Sequence, residues 1–271
     1  MREDPRVVRF TSFGVGMEIS FPSDDLARRS ERRISTIFGP KAEPGLSGQM
    51  LVRLEVIQER RTSGFLVKDH TGGTEHPFKS EGVVDAVESL ARIRVAEFSP
   101  RHVFIHAGAV GIGGKALIIP GPSRSGKSTL VKALVECGAV YLSDEYAVLD
   151  SEALVHAFPK PVSIRIRDDG SQEDVRIPGT GIDKPPMGCG MVLVTEYLSG
   201  ADWAPSQLSP GVGILRIMEN TVPLRRNTQF SLKVLNKLAL RAIIAQSYRP
   251  DASKLAISII NYFNRTAIST P

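Results

Sequence analysis

The residues best suited to chemistry form one short stretch, Gly121-Pro122-Ser123-Arg124-Ser125-Gly126-Lys127-Ser128-Thr129. The stretch fits the pattern G-x-x-x-x-G-K-[ST], which wraps backbone N–H groups around phosphates. Gly121 and Gly126 permit turns that a Cβ would obstruct. Lys127 would bring a positive charge to the β- and γ-phosphates, and the Ser128 hydroxyl would ligate Mg²⁺. These nine residues therefore predict a nucleotide-binding phosphate loop.

The predicted elements on either side of this loop are those that an anion site needs. Residues 115–120 form a short apolar run, which predicts a buried strand. Leu130, Ala133 and Leu134 follow the loop at the i, i+3, i+4 spacing of an apolar helix stripe. A strand, a glycine-rich loop and a helix N-terminus together favour anion binding. The alternative is an ordinary strand–turn–helix that contains Gly and Lys by chance.

Two acids and a histidine are the candidate catalytic residues near the loop. The apolar run 139–142 ends in Ser143-Asp144-Glu145, on the strand that follows the loop helix. Beside the loop, one carboxylate could accept the proton of an attacking hydroxyl while the other faces Mg²⁺. The alternative for the acids is a polar strand end that caps a turn. His106 lies in an apolar run, where a buried, hydrogen-bonded role is the common alternative to a catalytic one.

The block 106–150 resembles the core of the HPr kinase/phosphorylase family, bacterial serine kinases that act on a protein. That family has a His-Gly-type strand, a hairpin, a GxSGxGKS loop and a strand closing on Ala-Asp-Asp. This chain has 15 residues from His106 to Gly121 and 18 from Lys127 to Glu145, which match the family spacing. The matching segments are His106-Ala107-Gly108-Ala109-Val110, the loop itself, Cys137-Gly138 and Ser143-Asp144-Glu145.

The resemblance implies a role for each matching residue. Lys127 and the loop amides would hold ATP, and Ser128 would ligate Mg²⁺. Asp144 would support the metal or the nucleophile, Glu145 would be the general base, and His106 would orient or stabilise the site. Because a Glu stands where the family usually has Asp, the choice of base between Asp144 and Glu145 stays open.

Two further signatures of the family are only partly present. An acidic residue followed by Arg-Gly-Leu-Gly-Ile corresponds to 174–182 with an insertion, which makes Asp174 a candidate Mg²⁺ ligand. The phosphorolysis-linked Pro-Val-Arg-Pro-Gly-Arg-Asn loop resembles the shorter 222–227, whose Arg225 and Arg226 would contact a γ-phosphate or phosphoserine. A basic flank of a helix is the alternative. We expect a kinase without efficient reverse activity.

The pattern of elements predicts an α/β protein in two parts. Residues 1–98 form a smaller N-terminal α/β unit for recognition or assembly, without recognisable chemistry. Residues 99–271 form a P-loop kinase domain of the HPr kinase type, a mixed sheet flanked by helices. The pattern also predicts a strand over 191–197, a polar loop over 167–186, and helices over 23–38, 81–98, 230–245 and 251–264.

Composition limits the compartment and the partners. Hydrophobic residues make up 42% of the chain and charged residues 23%, as in soluble globular proteins. The first ten residues lack the apolar run of a secretory signal, no stretch is long and apolar enough to span a bilayer, and there are two cysteines. We therefore expect a cytoplasmic protein that does not bind a membrane.

Charge is concentrated in the last part of the chain. The net charge is +5, and basic residues outnumber acidic ones nine to two from Arg216 onward. This favours an acidic or phosphorylated partner, with solvated helix faces as the alternative. Interleaved aromatics, zinc-finger spacing and a basic zipper are absent from that segment, so we do not expect nucleic acid as a partner.

Together these patterns predict an ATP- and Mg²⁺-dependent kinase that phosphorylates a hydroxyl, with a serine of a protein or precursor peptide as acceptor. A resemblance of pattern to stand-alone kinases of peptide-tailoring systems, including lasso-peptide pathways, implies the peptide acceptor. The family resemblance also implies a homo-oligomer. Two alternatives stay open, a small-molecule kinase on the same core and a nucleotide-binding regulatory or assembly module.

Overall fold

A computed structural model describes residues 6–38, 42–46, 50–59, 63–123, 125–158, 162–165, 172–175 and 185–268. For 162–165 and 172–175, as for residues 42, 44 and 268, only the backbone is described. The chain divides into two compact units, Met1–Arg101 and His102–Pro271. In the part of the chain so described, no helix is both long enough and apolar enough to cross a bilayer. The predicted division into two functional domains stays a prediction.

The first unit combines one six-stranded sheet with two helices. Its strands are β1 (Val7–Ser12), β2 (Val15–Ser20), β3 (Ala42–Pro44), β4 (Met50–Gln58), β5 (Gly64–Asp69) and β6 (Thr74–Lys79). Its helices are α1 (Asp24–Phe38) and α2 (Val83–Phe98), the latter preceded by a 3-10 turn, Ser80–Gly82. The strand order is β3-β1-β2-β4-β5-β6, and β2–β4 is the parallel pair.

The core of the first unit follows from strand alternation. Val52, Leu54 and Val56 of β4 are buried at every second position, which turns one face of the sheet inward. Phe10 of β1 meets Phe38 of α1 with ring centroids 5.0 Å apart, so the sheet and the helix share one core. The sequence pattern did not predict β6, the edge strand that contains a proline.

The second unit contains the predicted site. Its strands are β7 (Val103–Ile112), β8 (Lys115–Pro120), β9 (Val140–Ser143), β10 (Tyr146–Leu149), β11 (Leu154–His156), β12 (Val162–Arg165), β13 (Gln172–Val175), β14 (Met187–Tyr197), β15 (Ser206–Gln207) and β16 (Ile243–Arg249). Its helices are α3 (Lys127–Glu136), α4 (Pro210–Met218), α5 (Thr228–Arg241) and α6 (Ala252–Phe263), with a 3-10 turn at Val222–Arg225 and a π-helical turn at Asn264–Ile268.

A mixed sheet runs through the second unit. Its order is β11-β10-β7-β8-β14-β16-β15, and β9 also pairs with β7. Strands β8, β14 and β16 run parallel to one another, whereas β7 is antiparallel to β8, β9 and β10. The carboxyl ends of the three parallel strands therefore meet at one edge, where ligands bind in open α/β sheets.

Helices cover both faces of this sheet. Leu117 and Ile119 of β8 belong to a core with residues of α3 and α6, whereas Ile118 belongs to a core with residues of α4 and α5. The alternation of side chains along a strand explains this division. The protein is thus a mixed α/β structure, as predicted, with layers of helix, sheet and helix in this unit.

Two predicted elements differ from the structure. The helix predicted over 230–245 ends at Arg241, and Ile243–Arg249 is a strand that pairs in parallel with β14. The loop predicted over 167–186 contains β13, which pairs with β12, while residues 166–171 and 176–184 lie outside the described part. Strand β16 depends on β14, a partner distant in sequence, which periodicity does not reveal.

Candidate functional site

The predicted phosphate loop connects the end of β8 to the start of α3. The N–H of Gly121 donates to the carbonyl of His106 at 3.3 Å, so the first residue of the loop is hydrogen-bonded to β7. Gly126 occupies the N-cap of α3 with φ +82°, a conformation that glycine adopts without steric cost. Arg124 lies outside the described residues. The predicted strand–loop–helix order is confirmed, whereas phosphate binding stays a prediction.

Lys127, the first residue of α3, is 7% exposed. Its ammonium Nζ donates to the carbonyls of Gly121 at 2.7 Å and Pro122 at 2.6 Å. Burial lowers the pKa of Lys127 to about 8, although the negative charge of Asp144 opposes that shift. The loop therefore encloses a cation near its own backbone, at the place where the motif would bind phosphate.

The other predicted polar residues of the loop lie closer to solvent. Pro122, Ser123 and Thr129 are exposed, whereas Ser125 and Ser128 are half-buried. Ser128 follows Lys127 in the first turn of α3. The hydroxyl predicted to ligate Mg²⁺ therefore lies at the positive end of the helix.

Strand β7 brings the three predicted site segments together. Its residue His106 bonds to the loop through Gly121, and the N–H of Ala107 donates to the carbonyl of Glu145 at 3.0 Å. The acid pair occupies the gap between β9 and β10, which both run along β7. Histidine, loop and acids, distributed over about 40 residues of sequence, thus meet around one strand.

A two-residue interruption between β9 and β10, which we call the acid turn, presents Asp144 and Glu145. The Ser143 hydroxyl accepts hydrogen bonds from the N–H groups of Glu145 at 3.2 Å and Tyr146 at 3.1 Å. These bonds connect the backbone of the acid turn to the last residue of β9. The turn that was the structural alternative is therefore present, and it also holds both acids beside β7.

Asp144 and Glu145 differ in their surroundings. Asp144 is 9% exposed, and the hydroxyl of the buried Tyr141 lies 3.4 Å from its Oδ1. Asp144 is also the carboxylate whose charge acts on the pKa of Lys127, while Glu145 is only half-buried. This difference favours Asp144 for the phosphate and metal side and Glu145 for the approaching hydroxyl.

His106 lies on the side of β7 that faces α3. The ring is half-buried, and its centroid is 6.0 Å from that of Tyr146. The N–H of His106 donates to the carbonyl of Asn220 at 2.7 Å, which connects the strand to the segment after α4. The structure therefore places His106 at the site, and its orienting role stays a prediction.

The structure describes the two partly present family signatures to different extents. It describes Arg225 and Arg226 in full and only the backbone of Asp174. The 3-10 turn Val222–Arg225 lies against β7, but Arg225 and Arg226 are both exposed. Asp174 lies in β13 opposite Ser163 of β12, and its side chain is outside the described part of the structure. The proposed contacts of these three residues with phosphate or Mg²⁺ stay predictions.

Arg249 is a site residue that the sequence pattern did not identify. It ends β16, is 3% exposed, and its Nη2 donates to the carbonyl of Ser125 in the loop at 2.9 Å. In the sequence, Arg249 lies in Tyr248-Arg249-Pro250-Asp251, between the helices predicted over 230–245 and 251–264; this segment belongs to the pattern shared with the stand-alone peptide kinases, and no site role follows from it. Its partner lies 124 residues earlier in the chain.

A cleft of about 850 Å³ flanks the loop on the side of β14 and β16. Its walls combine apolar and polar groups, and they include Pro122, Ser125, Thr195, Gln246 and Tyr248. The acid pair lies on the other flank, because β9 and β10 pair with β7 rather than with β14. The loop therefore separates a roomy cleft from a pair of carboxylates.

The donor groups at the loop fit a Mg²⁺ ion shared with phosphates. Within the described ranges, no group of three or more His, Cys, Asp and Glu side chains is arranged to hold a metal. Nucleotide-bound Mg²⁺ keeps several waters and takes one or two protein oxygens. The Ser128 hydroxyl and the Asp144 carboxylate are groups of this kind. They therefore suit a Mg²⁺ ion that arrives with the nucleotide, rather than one held by the protein alone.

Comparison with known proteins finds likeness among solved structures. No protein-family model and no curated protein sequence matches this chain. The solved structure of the Hpr(Ser) kinase/phosphatase from Coxiella burnetii is similar over 60% of this chain and 94% of that chain, with 17% identity and a TM-score of 0.33. Because so low a score carries no weight for function, the residues of the chain itself must support any proposal.

Proposed function

We propose that this protein is an ATP- and Mg²⁺-dependent kinase that transfers the γ-phosphoryl group to the serine hydroxyl of a protein or precursor peptide. The observation that carries the proposal is the proximity of charges at the loop. The buried ammonium of Lys127 interacts with Asp144, which belongs to the acid pair beside β7. Phosphoryl transfer needs this combination of a phosphate-binding cation with neighbouring carboxylates.

The two flanks of the loop suggest where each substrate would lie. The phosphates would bind the loop amides and Lys127 at the N-terminus of α3. The nucleoside would occupy the cleft beside β14 and β16, where Tyr248 and Gln246 offer an aromatic face and an amide. The acceptor hydroxyl would then approach from the flank of Asp144 and Glu145.

The residues of the chain would act by positioning and by charge. Glu145 would accept the proton of the serine hydroxyl, and Asp144 would hold the metal-bearing phosphates in place. Mg²⁺, carried in with ATP and held by Ser128 and Asp144, would neutralise charge on the phosphates. His106 would help to fix the acid turn through Tyr146, since their ring centroids lie 6.0 Å apart.

The choice of acceptor rests on the resemblance of the 106–150 block and on the charge of the last fifth of the chain. A surface rich in Lys and Arg from Arg216 onward would suit an acidic acceptor. We extend the proposal to a cytoplasmic homo-oligomer that binds neither membrane nor nucleic acid.

The test is mass spectrometry of candidate proteins and genomically neighbouring peptides after incubation with ATP and Mg²⁺. We expect one phosphoserine in the wild-type reaction and none with Lys127→Ala. The Asp144→Asn/Glu145→Gln double variant should still bind ATP but transfer no phosphate. Transfer by Lys127→Ala would contradict the role of the loop.

The same assay separates the alternative functions. Phosphate recovered in a small molecule, with no modified peptide, would indicate a small-molecule kinase on the same core. If the double variant binds ATP and keeps every cellular function of the wild type, the chain is a nucleotide-responsive regulatory module and the kinase proposal fails.

A further inference from the structure

Arg249 contacts the phosphate loop from the side opposite the acid pair. It ends β16, the strand next to β14, and its Nη2 donates to the carbonyl of Ser125 at 2.9 Å. The guanidinium carbon lies 5.6 Å from the centroid of the Tyr197 ring, within the range of a cation–π contact. The aromatic face and the loop carbonyl together hold the guanidinium in one place.

The guanidinium also lies directly against Gly126. A Cβ at this position would be 2.5 Å from Nη2 of Arg249, closer than nonbonded atoms approach. Gly126 is required by its φ of +82°, and a Cβ there would displace the Arg249 guanidinium from its present place. The Ser125–Gly126 segment thus has Arg249 packed against it immediately before α3 begins.

The charge of Arg249 is not balanced by an acid among the described residues. Burial lowers the pKa of Arg249, and the group that opposes this shift is Tyr197, not a carboxylate. Asp251, the nearest acid along the chain, accepts a hydrogen bond from the Tyr197 hydroxyl at 3.1 Å. A buried cation without a carboxylate is costly, and a phosphate bound nearby would reduce that cost.

We propose that Arg249 is a positioning residue for the polyphosphate of the nucleotide. It holds the Ser125–Gly126 segment in the shape that turns the loop amides toward phosphate, and it adds a second buried cation to that of Lys127. The proposal rests on the proposed function, because it assumes that the loop binds phosphates. The ligand class is a polyphosphate, whether free or attached to a nucleoside.

The experiment is calorimetric titration of the full chain with two probes, MgATP and inorganic tripolyphosphate with Mg²⁺. Arg249→Ala should raise the Kd of both probes by about ten- to a hundredfold, as expected for loss of a hydrogen bond from a charged group. Arg249→Lys keeps the charge but loses the planar fork, so its Kd should lie between those of the wild type and Arg249→Ala.

Steady-state kinetics provide a readout that a general loss of structure would not give. Arg249→Ala should raise the KM for ATP and leave the KM for the acceptor unchanged. Arg29→Ala is the matched control, because Arg29 is exposed on α1, before the basic segment that begins at Arg216, and its ion pair is with Asp25. Circular dichroism and thermal unfolding report whether each variant is folded.

The outcomes separate this inference from the proposed function. If the wild type binds neither probe, both proposals fail. If the wild type binds both and a folded Arg249→Ala binds them equally well, the positioning role is overturned and the kinase proposal stands. Weakened binding of MgATP alone also overturns it, because the contact would then concern the nucleoside. If Arg249→Ala does not fold, wild-type affinity in Arg249→Lys is the overturning result.

Discussion

Lys127 is placed to bind phosphate, but its burial disfavours the charged form of its ammonium group. Its ammonium is almost fully buried, and the two carbonyls that surround it carry only partial charge. Desolvation therefore outweighs the attraction of Asp144, and the pKa of Lys127 falls to about 8. A lysine so placed is charged at neutral pH but close to losing its proton, so its charge is available to a phosphate and sensitive to alkaline pH.

Nucleotide affinity should accordingly fall at alkaline pH. Below about pH 8 Lys127 is protonated and attracts phosphate, whereas above it the free protein loses this charge. Between about pH 8 and pH 10, the Kd for MgATP should rise by up to about tenfold per pH unit. Titration calorimetry at several pH values checks this. Lys127→Arg, which stays protonated, should give a flat profile, and a flat wild-type profile would contradict the assignment.

The free energy of unfolding should change in the opposite direction. The folded-state pKa of Lys127 lies below its usual value of 10.5, so the unfolded chain binds the proton more tightly. Stability should therefore increase as pH rises from about 8 to about 10.5, relative to Lys127→Met, in which this titration is absent. Urea unfolding of both proteins across that range measures the difference, and parallel curves would exclude the predicted shift.

Asp144 should control the titration of Lys127. Because its negative charge raises the lysine pKa, Asp144→Asn should move the midpoint of the affinity profile to lower pH. Glu145→Gln is the matched control, since it removes the adjacent carboxylate and leaves Asp144, whose charge opposes the lowering of the lysine pKa. An equal displacement in both variants would show that the acid pair acts as one charge.

At the scale of secondary-structure elements, β7 organises the site. Its backbone is hydrogen-bonded to the loop, to the acid turn and to the segment after α4, and one of its faces packs against α3. Gly108 permits that last contact, because a Cβ there would be 2.5 Å from Cγ2 of Val131 in α3. The distance between β7 and α3, and with it the position of Lys127, thus depends on glycine at position 108.

Replacing Gly108 should separate these two elements. Gly108→Ala should reduce the free energy of unfolding by about 1–3 kcal/mol, as expected for overpacking of a core. Val131→Ala removes the atom that would clash. Gly108→Ala should therefore cost less stability in the Val131→Ala protein than in the wild type. Urea unfolding of the four proteins forms a double-mutant cycle, and additive effects would show that the clash is relieved elsewhere.

The acid turn between β9 and β10 depends on one hydroxyl. Ser143 is fully buried and accepts hydrogen bonds from two N–H groups, those of Glu145 and Tyr146. Ser143→Ala should cost about 1–3 kcal/mol of stability because it removes both hydrogen bonds. It should also lower kcat more than it changes the Kd for ATP, because the acids shift while the loop does not. Ser143→Thr, which keeps the hydroxyl, is the control for the loss of this bond.

At the scale of the whole molecule, the chain carries two compact units and one predicted site. The sheet of Met1–Arg101 and the helix–sheet–helix layers of His102–Pro271 each bury their own apolar residues. All of the predicted site residues belong to the second unit. A role of the first unit in recognition or assembly stays a prediction.

Ligand binding should consequently stabilise the second unit. MgATP at a hundred times its Kd should add about 2.7 kcal/mol to the stability of the unit that binds it. Hydrogen exchange followed by mass spectrometry should show slower exchange in β8, α3 and β16. Lys127→Ala, measured under the same conditions, controls for effects unrelated to the loop. Protection confined to β4 and β5 of the first unit would contradict the location of the site.

Local patterns predicted much of the site because its motif is continuous in sequence. The loop, the strand before it and the helix after it are neighbours in the chain, and their glycines and apolar spacing reflect short-range geometry. The acids could be placed beside the loop because a single short helix separates the two strands. A turn at the acids was the stated alternative, but its place beside β7 was not predicted, since it depends on the pairing of both β9 and β10 with β7.

The amino-acid order thus determined the α/β class, the loop and the neighbourhood of Lys127 with the acid pair. The tertiary structure alone decided that Ile243–Arg249 is a strand, because a parallel strand acquires its hydrogen bonds from a partner such as β14. It likewise decided that Arg249 meets Ser125, a contact across 124 residues. Such contacts arise from packing in three dimensions, and a local pattern of residue types contains no record of them.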